Sequence, residues 1–288
     1  MRVAIFGQAK TGTSALYAKL REAMPPDTDC FFEPDGAQVW RLRRLQLAKK
    51  LGLRRKRPLL AKFLPFHLDR HRFIAAFGAF DHAIQIVRDP RDRLVSALLY
   101  WSYNTPLARD TAAASAFIAR IAAKEREPQA IALCELIADF TRLQGGDFVF
   151  DRWLASYAKR SIAEPLAFAD ARPELIDYRY EALVAHDFTA VTAATGLALH
   201  GEAEVGAQLQ RVVRRKGYGD WRNWFTEHDV ALFQPVLQPY LDRFYPQADW
   251  QLSDAPAIEP AHGSDYVRRI INEARGIARL GSLPDVRE

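Results

Sequence analysis

The stretch from Val3 to Leu20, VAIFGQAKTGTSALYAKL, constrains this chain more than any other. Val3 to Phe6 is a short apolar run of the kind a buried strand shows. A glycine-containing turn, Gly7 to Gly12, follows, and then Ala15, Leu16 and Leu20 take helical spacing. Strand, glycine turn and helix start aim backbone N–H groups and the positive end of a helix at one place, which suits a phosphate or a similar anion. The spacing departs from the nucleotide-hydrolysing loop, in which a lysine directly follows the second glycine. Gly7 and Gly12 keep that loop's interval, but Thr13 and Ser14 follow, and the lysine stands inside the turn at Lys10. A triphosphate would lack its main side-chain contact here. One lysine beside hydroxyls still suits a single tetrahedral anion and the oxygen bridging it to a leaving group. The competing reading is an ordinary strand-turn-helix with Lys10 in solvent.

Strand and helix patterns alternate from residue 3 to 104, which implies βαβ units and a mainly parallel sheet. A second strand over Thr28 to Phe32 ends at Glu33-Pro34-Asp35-Gly36, where proline and glycine force a turn. Ligands of open parallel sheets bind at the carboxyl ends of strands, so Glu33 stands where a catalytic base could stand. Its alternative role is a turn carboxylate or a helix N-cap neighbour. Residues 37–57 are helical in pattern, with nine arginines and lysines between Arg41 and Arg57 and no acid among them. They form either a face for an anionic membrane, substrate or partner, or a solvated surface. A third strand, Pro58 to Leu64, carries Lys62, with His67 just beyond. A helix is expected over Arg70 to Phe80, a fourth strand over Asp81 to Val87 and an amphipathic helix over Arg91 to Tyr103.

Residues 105–163 lack strand patterns and are expected to be a helical insertion, with helices over Ala113 to Ala123, Ala130 to Leu143 and Phe148 to Ser161. A late strand, Leu175 to Tyr178, precedes helices over Asp187 to Ala194, Ala203 to Val213 and Glu227 to Leu237. The tail, 246–288, carries a basic helix over Asp265 to Leu280 that packs on the domain or reaches a second subunit. The expectation is one domain spanning 1–288.

A second constellation is Arg88-Asp89-Pro90-Arg91-Asp92-Arg93-Leu94-Val95-Ser96. Arg88 ends a strand, where its guanidinium can fork onto a phosphate, and Ser96 on the next helix can reach the same group. The alternative is a turn in which Asp89 and Asp92 pair internally with the arginines.

Together these motifs resemble the sulfotransferases that use 3′-phosphoadenosine 5′-phosphosulfate. Lys10 to Ser14 resembles their 5′-phosphosulfate loop, and Arg88 to Ser96, with Tyr100 beyond, their 3′-phosphate motif. Arg215-Lys216-Gly217, followed by Gly219-Asp220-Trp221-Arg222-Asn223, is similar to the C-terminal loop of the cytosolic branch. Tyr178 to Leu183 resembles the segment whose tyrosine, here Tyr180, lies by the adenine. The four motifs follow the family's order over about a third of the chain. The resemblance implies an α/β fold, a parallel sheet flanked by helices of the P-loop-like sulfotransferase type. It also implies that Gly7, Ala9, Lys10, Thr11, Gly12, Thr13 and Ser14 surround the 5′-phosphate, with Lys10 neutralising the bridging oxygen. Arg88, Ser96, Arg215, Lys216 and Gly217 would bind the 3′-phosphate, and no metal is expected. The sulfuryl acceptor would be a hydroxyl or amine of a glycan, lipid-linked or small molecule.

Two departures from the cytosolic branch stand out. Its catalytic histidine lies two residues after the third-strand lysine, where this chain has Leu64, and its aromatic after the phosphate loop is replaced by Ala15. Glu33-Pro34 resembles instead the glutamate-proline of the glycan-modifying branch and many bacterial members, where the glutamate is the base. Glu33 is therefore the expected base, with His67 second. The acceptor region, 105–163 with 64–72, holds no legible motif. Tyr100, Trp101, Tyr103 and Trp153 fit either a core or an apolar pocket.

Two rival readings remain. One is a P-loop kinase or other ATP-dependent transferase, with Asp89 as a metal-binding acid. The other is a non-catalytic nucleotide-binding protein at an anionic surface. A net charge of +5 and a pI near 9.2 favour anionic ligands without selecting one. Nucleic acid is not expected, because no helix-turn-helix or finger signature accompanies the charge. Cys30 and Cys134 stand far apart, outside any metal spacing, which points to a reducing compartment. With no leader and no long apolar run in view, a cytoplasmic protein is expected, one that the basic stretch could bring to a membrane surface.

Overall fold

The computed structural model describes residues 1–35, 37, 38, 40, 57–64, 74, 77–201, 214 and 216–284. The chain opens with β1 (Arg2–Phe6), α1 (Thr13–Ala23), β2 (Asp29–Phe32), β3 (Leu59–Phe63) and β4 (His82–Val87). Six helices follow: α2 (Pro90–Trp101), α3 (Pro106–Arg109), α4 (Thr111–Arg126), α5 (Leu133–Arg142), α6 (Phe150–Ala158) and α7 (Glu164–Asp170). After them come β5 (Ile176–Arg179), α8 (Tyr180–Val184), α9 (Thr189–Thr195), α10 (Trp221–Trp224), α11 (Glu227–Phe244) and α12 (Ser264–Ile277). These elements gather into two compact units, residues 1–88 with 163–210, and residues 89–162 with 211–288. The stretch expected as a helical insertion, 105–163, falls almost entirely in the second unit, with α2 and the C-terminal segment.

The first unit is built on a five-stranded parallel sheet in the order β2-β3-β1-β4-β5. Side chains alternate across each strand, so each central strand needs apolar residues on both faces. Val3, Ile5, Leu60, Ile84 and Ile86 turn to one face and pack with Leu16, Leu20, Tyr178 and Val191. Ala4, Phe6, Ala61 and Phe63 turn to the other and pack with Phe77 and Phe168. The connection from β1 to β2 runs in one direction along the sheet and that from β3 to β4 in the other. Right-handed crossovers then place α1 on one face and Ile74 and Phe77 on the other, as the two core clusters show. The direction reverses at β1. Its carboxyl end is a topological switch point, the place where such sheets bind ligands.

The second unit is helical, and its helix ends are tied by charged side chains. Asp89 caps α2 by accepting from Arg91 N, with Pro90 at the first helical position. Thr226 and Asp229 form a capping box on α11. Asp229 also accepts from Leu133 N at 2.8 Å and Cys134 N at 2.9 Å, so it serves the start of α5, where Ala132 has no polar group to offer. Lys124 is fully buried and donates to the carbonyls of Pro128 and Ile131 at 2.7 and 2.5 Å. The tail packs within its own unit. Val267, Ile270 and Ile271 are buried, and Glu125 accepts from the amide and hydroxyl of Ser264 at the start of α12. Any Cβ at Gly263 would lie 2.1 Å from Glu125 Oε1. Arg275 reaches Ala108 O, Thr111 Oγ1 and Gly281 O, and Leu283 N donates to Asn272 Oδ1.

Several expectations need correction. Gly78, at φ 72°, stops the helix expected to Phe80 three residues early, because a left-handed residue terminates the ladder. The helix expected to Leu237 continues to Phe244 through Pro235 and Pro239. Both prolines face solvent, four residues apart, so the carbonyls they leave unbonded meet water, while Phe233, Leu237, Tyr240, Leu241 and Phe244 bury the other face. Residues 105–163 hold α3 through α6 and a π-helical turn over Lys159–Ala163, more pieces than the two or three expected. The basic residues 41–56, the segment 65–73 with His67, and the whole helix expected over Ala203 to Val213 lie outside the described residues. Among the described residues no helix is long and apolar enough to cross a membrane.

Candidate functional site

All five strands of the first unit deliver a polar group at their carboxyl ends. After β1 the loop Gly7–Gly12 turns tightly into α1. Gly7 admits no side chain, since a Cβ there would lie 2.6 Å from the Thr13 methyl and 2.8 Å from Ile86 O. Gly12 is fixed twice over: its φ is 86°, and a Cβ would meet the Tyr180 ring at 2.6 Å. Thr11 is buried and donates from Oγ1 to Gln8 O at 2.7 Å, which closes the loop on itself. Gly12 caps α1 without a side-chain acceptor, and the first turn holds no acid. The positive end of the helix is therefore not neutralised by its own residues.

Lys10 sits in this loop at φ 71°, in the left-handed region that costs an L-residue about 1 kcal/mol or more. Arg88, at the end of β4, donates from Nη1 to Lys10 O at 3.0 Å and stacks its guanidinium 4.2 Å from the Tyr180 ring. Arg88 and Tyr180, expected at the 3′-phosphate and the adenine, thus lie against the loop itself. They hold its strained carbonyl and the glycine beside it.

Glu33 follows β2 and is likewise strained, at φ 47°. Its amide extends the ladder to Lys62 O at 3.0 Å, which brings its side chain beside β3. Lys62 Nζ donates to Glu33 Oε1 at 2.6 Å and to Ser14 Oγ at 2.9 Å, and lies 4.0 Å from the Phe32 ring centroid. Lys62 is 2% exposed in its side chain and Glu33 33%. Burial pushes the Lys62 ammonium below its ordinary pKa, and the Glu33 carboxylate pulls it back up. The turn-carboxylate role considered for Glu33 belongs instead to Asp35, which accepts from Gln38 N at 2.8 Å.

The sequence reading noted Lys62 but gave it no role, because Leu64 occupies the position expected to hold a histidine. The signal that could have found it is register. Phe32 pairs with Lys62, so the next residue of β2's chain must pass the lysine's end of β3.

The remaining assigned residues belong to the second unit. Ser96 is buried in the second turn of α2. Lys216 is exposed and Gly217 half-buried, and Arg215 lies outside the described residues. The alternative considered for residues 88–96, an internally paired turn, is realised in part. Asp89 takes a bidentate pair with Arg91, Oδ1 to Nε at 2.9 Å and Oδ2 to Nη2 at 2.6 Å. Asp92 accepts backbone amides, from Gly219 N at 2.5 Å and Trp221 N at 3.0 Å. Of the aromatics weighed for a pocket, Trp101 and Trp153 pack on each other and on Phe140 or Phe233. Tyr103 borders a cavity of about 340 Å³ beside the end of α12. Among the described residues no group of three or more His, Cys, Asp or Glu is disposed to hold a metal.

No protein-family model matches the chain, and no curated protein matches it. The site is read from its own chemistry. It pairs an un-neutralised helix start and a lysine-bearing loop, both suited to an anion, with a half-exposed carboxylate held by a buried lysine.

Proposed function

We propose that this protein is a sulfotransferase of the P-loop-like fold. It moves a sulfuryl group from 3′-phosphoadenosine 5′-phosphosulfate to a hydroxyl or amine of a glycan, lipid or small-molecule acceptor. The observation that carries the reading is the Glu33–Lys62–Ser14 array, which sets a carboxylate beside the first turn of the helix that follows the glycine loop. The loop fits a phosphate. Gly7 and Gly12 let the loop turn tightly against Thr13, Ile86 and Tyr180, where a Cβ would clash, and α1 brings no acid to its first turn.

When bound, the nucleotide supplies an activated sulfuryl group with a phosphate as leaving group. Lys10 and the start of α1 hold that phosphate and balance the charge it gains. Ser14 Oγ already accepts from Lys62, so its own proton is directed outward as a donor. Lys62 engages Glu33 Oε1 and leaves Oε2 to take the acceptor's proton. Arg88 holds the Lys10 carbonyl, so the loop keeps its strained shape before any ligand arrives.

The first test is thermal stabilisation by 3′,5′-adenosine bisphosphate against AMP and against ATP with magnesium. A ligand at a hundred times its Kd adds about 2.7 kcal/mol, enough to read in a melting curve. A response to the bisphosphate that AMP does not give supports the reading. A response to ATP with magnesium alone transfers the protein to the kinases.

A further inference from the structure

We infer that Asp92 is a positioning residue for the 3′-phosphate. From the first turn of the helix that carries Ser96, it fixes in advance the loop that offers Lys216 and Gly217. The inference rests on the sulfotransferase reading and deepens it. It lies wholly within the second unit.

Asp92 is 1% exposed, and each of its oxygens takes one loop amide, Oδ2 from Gly219 and Oδ1 from Trp221. Gly219 stands at φ 80°, and a Cβ there would meet nothing, so the glycine answers to backbone shape alone. That left-handed residue is what turns two alternate amides toward one carboxylate. The charge of Asp92 is favoured in the first turn of α2, where the helix dipole is positive.

A second clamp holds the same segment. The Arg91 guanidinium is buried against two indoles, 3.9 Å from the Trp221 ring centroid and 4.7 Å from that of Trp250. It is fixed there by Asp89 and by the carbonyl of Asp249. On the far side of the segment Arg214 pairs with Asp220 at 2.9 Å. Lys216 and Gly217 thus lie between anchored neighbours, and Lys216 stays exposed. A loop ordered before binding spares the ligand the entropy of ordering it. The bonds to Asp92 are charge-assisted and so stronger than neutral ones.

The experiment is calorimetric titration of the wild type and Asp92→Asn with 3′,5′-adenosine bisphosphate and with 5′-AMP. The wild type is expected to prefer the bisphosphate. In the variant one acceptor becomes a donor facing an amide, and affinity for the bisphosphate is expected to fall by about tenfold or more while affinity for AMP holds. Equal losses for both ligands, or an unchanged preference, overturn the role of Asp92 and leave the sulfotransferase reading standing. A wild type that binds both alike overturns that reading, and the Asp92 assignment with it. Amide hydrogen exchange on the ligand-free wild type covers the case in which Asp92→Asn does not fold. Protection at Gly219 and Trp221 is expected, and exchange at the rate of open chain overturns the inference.

Discussion

The two units bury charge in opposite ways. In the helical unit each buried ion is enclosed by partners. Asp229 takes the amides of Leu133, Cys134 and Thr226 and the Thr226 hydroxyl, and Lys124 donates to two carbonyls. In the sheet unit the buried Lys62 leans on a glutamate that is one-third exposed, and the backbone of both Lys10 and Glu33 is left-handed. A charge whose partners are internal fixes architecture. A charge left half-exposed on strained backbone is shaped for something that arrives from outside.

The contrast can be broken most sharply at its two glutamate and aspartate centres. On the proposed reading, Glu33→Gln is expected to lower sulfuryl transfer by about a thousandfold, the loss of a general base, with a lowered melting temperature because the buried Lys62 keeps an amide acceptor but loses its counter-charge. Full turnover in that variant ends the assignment of Glu33. Asp229→Ala should act on stability alone. It leaves buried amides without an acceptor and should cost about 3–5 kcal/mol in a urea melt, while the folded fraction keeps its specific activity. A melt like that of the wild type would show that Asp229 does not hold the two helices.

A third test uses pH. Burial holds Lys124 at about 8, against the pull of Asp229, Glu135 and Cys134, and pushes Lys62 down as well. A lysine with a lowered folded pKa binds fewer protons than the unfolded chain. Its contribution is full above the unfolded pKa and is lost as pH falls through the folded one. Stability should therefore rise by about 2 kcal/mol between pH 7.5 and 9.5 from Lys124 alone. Burial raises the pKa of Tyr17, Tyr178 and Tyr266, which reverses the slope once unfolded tyrosines ionise. Urea midpoints across that range should climb in the wild type and climb less in Lys124→Met; parallel slopes would remove Lys124 as the cause. The smallest effect is expected at the loop. Lys10→Gly relieves the left-handed strain and should raise stability by about 0.5–1 kcal/mol while transfer is lost. A destabilised Lys10→Gly would mean that the ammonium, not the backbone, dominates there.

The sheet was legible because parallel strands advertise themselves as apolar runs, and the tight loop after β1 because Gly7 and Gly12 punctuate it. Glu33 was placed correctly at a strand end for the same reason. The lysine that holds it was not, because Glu33, Lys62 and Ser14 lie 29 and 48 residues apart and meet only through sheet register. The Arg91 cage was hidden likewise, since Trp250 and Asp249 come from a segment whose local pattern shows no partner. The helix expected over Glu227 to Leu237 fell short at its far end, and the buried face of α11 shows why it runs on through Pro239 to Phe244.

The far end of the chain has a consequence for how the gene tolerates damage. Gly281 and Leu283 are bonded to α12, and α12 in turn closes over Glu125 and the carbonyls of α3. A nonsense or frameshift mutation in the codons just before 264 would strip a helix from a finished fold, uncover Val267's neighbours in the core and strand the half-buried Glu125. Such an allele should behave as a null.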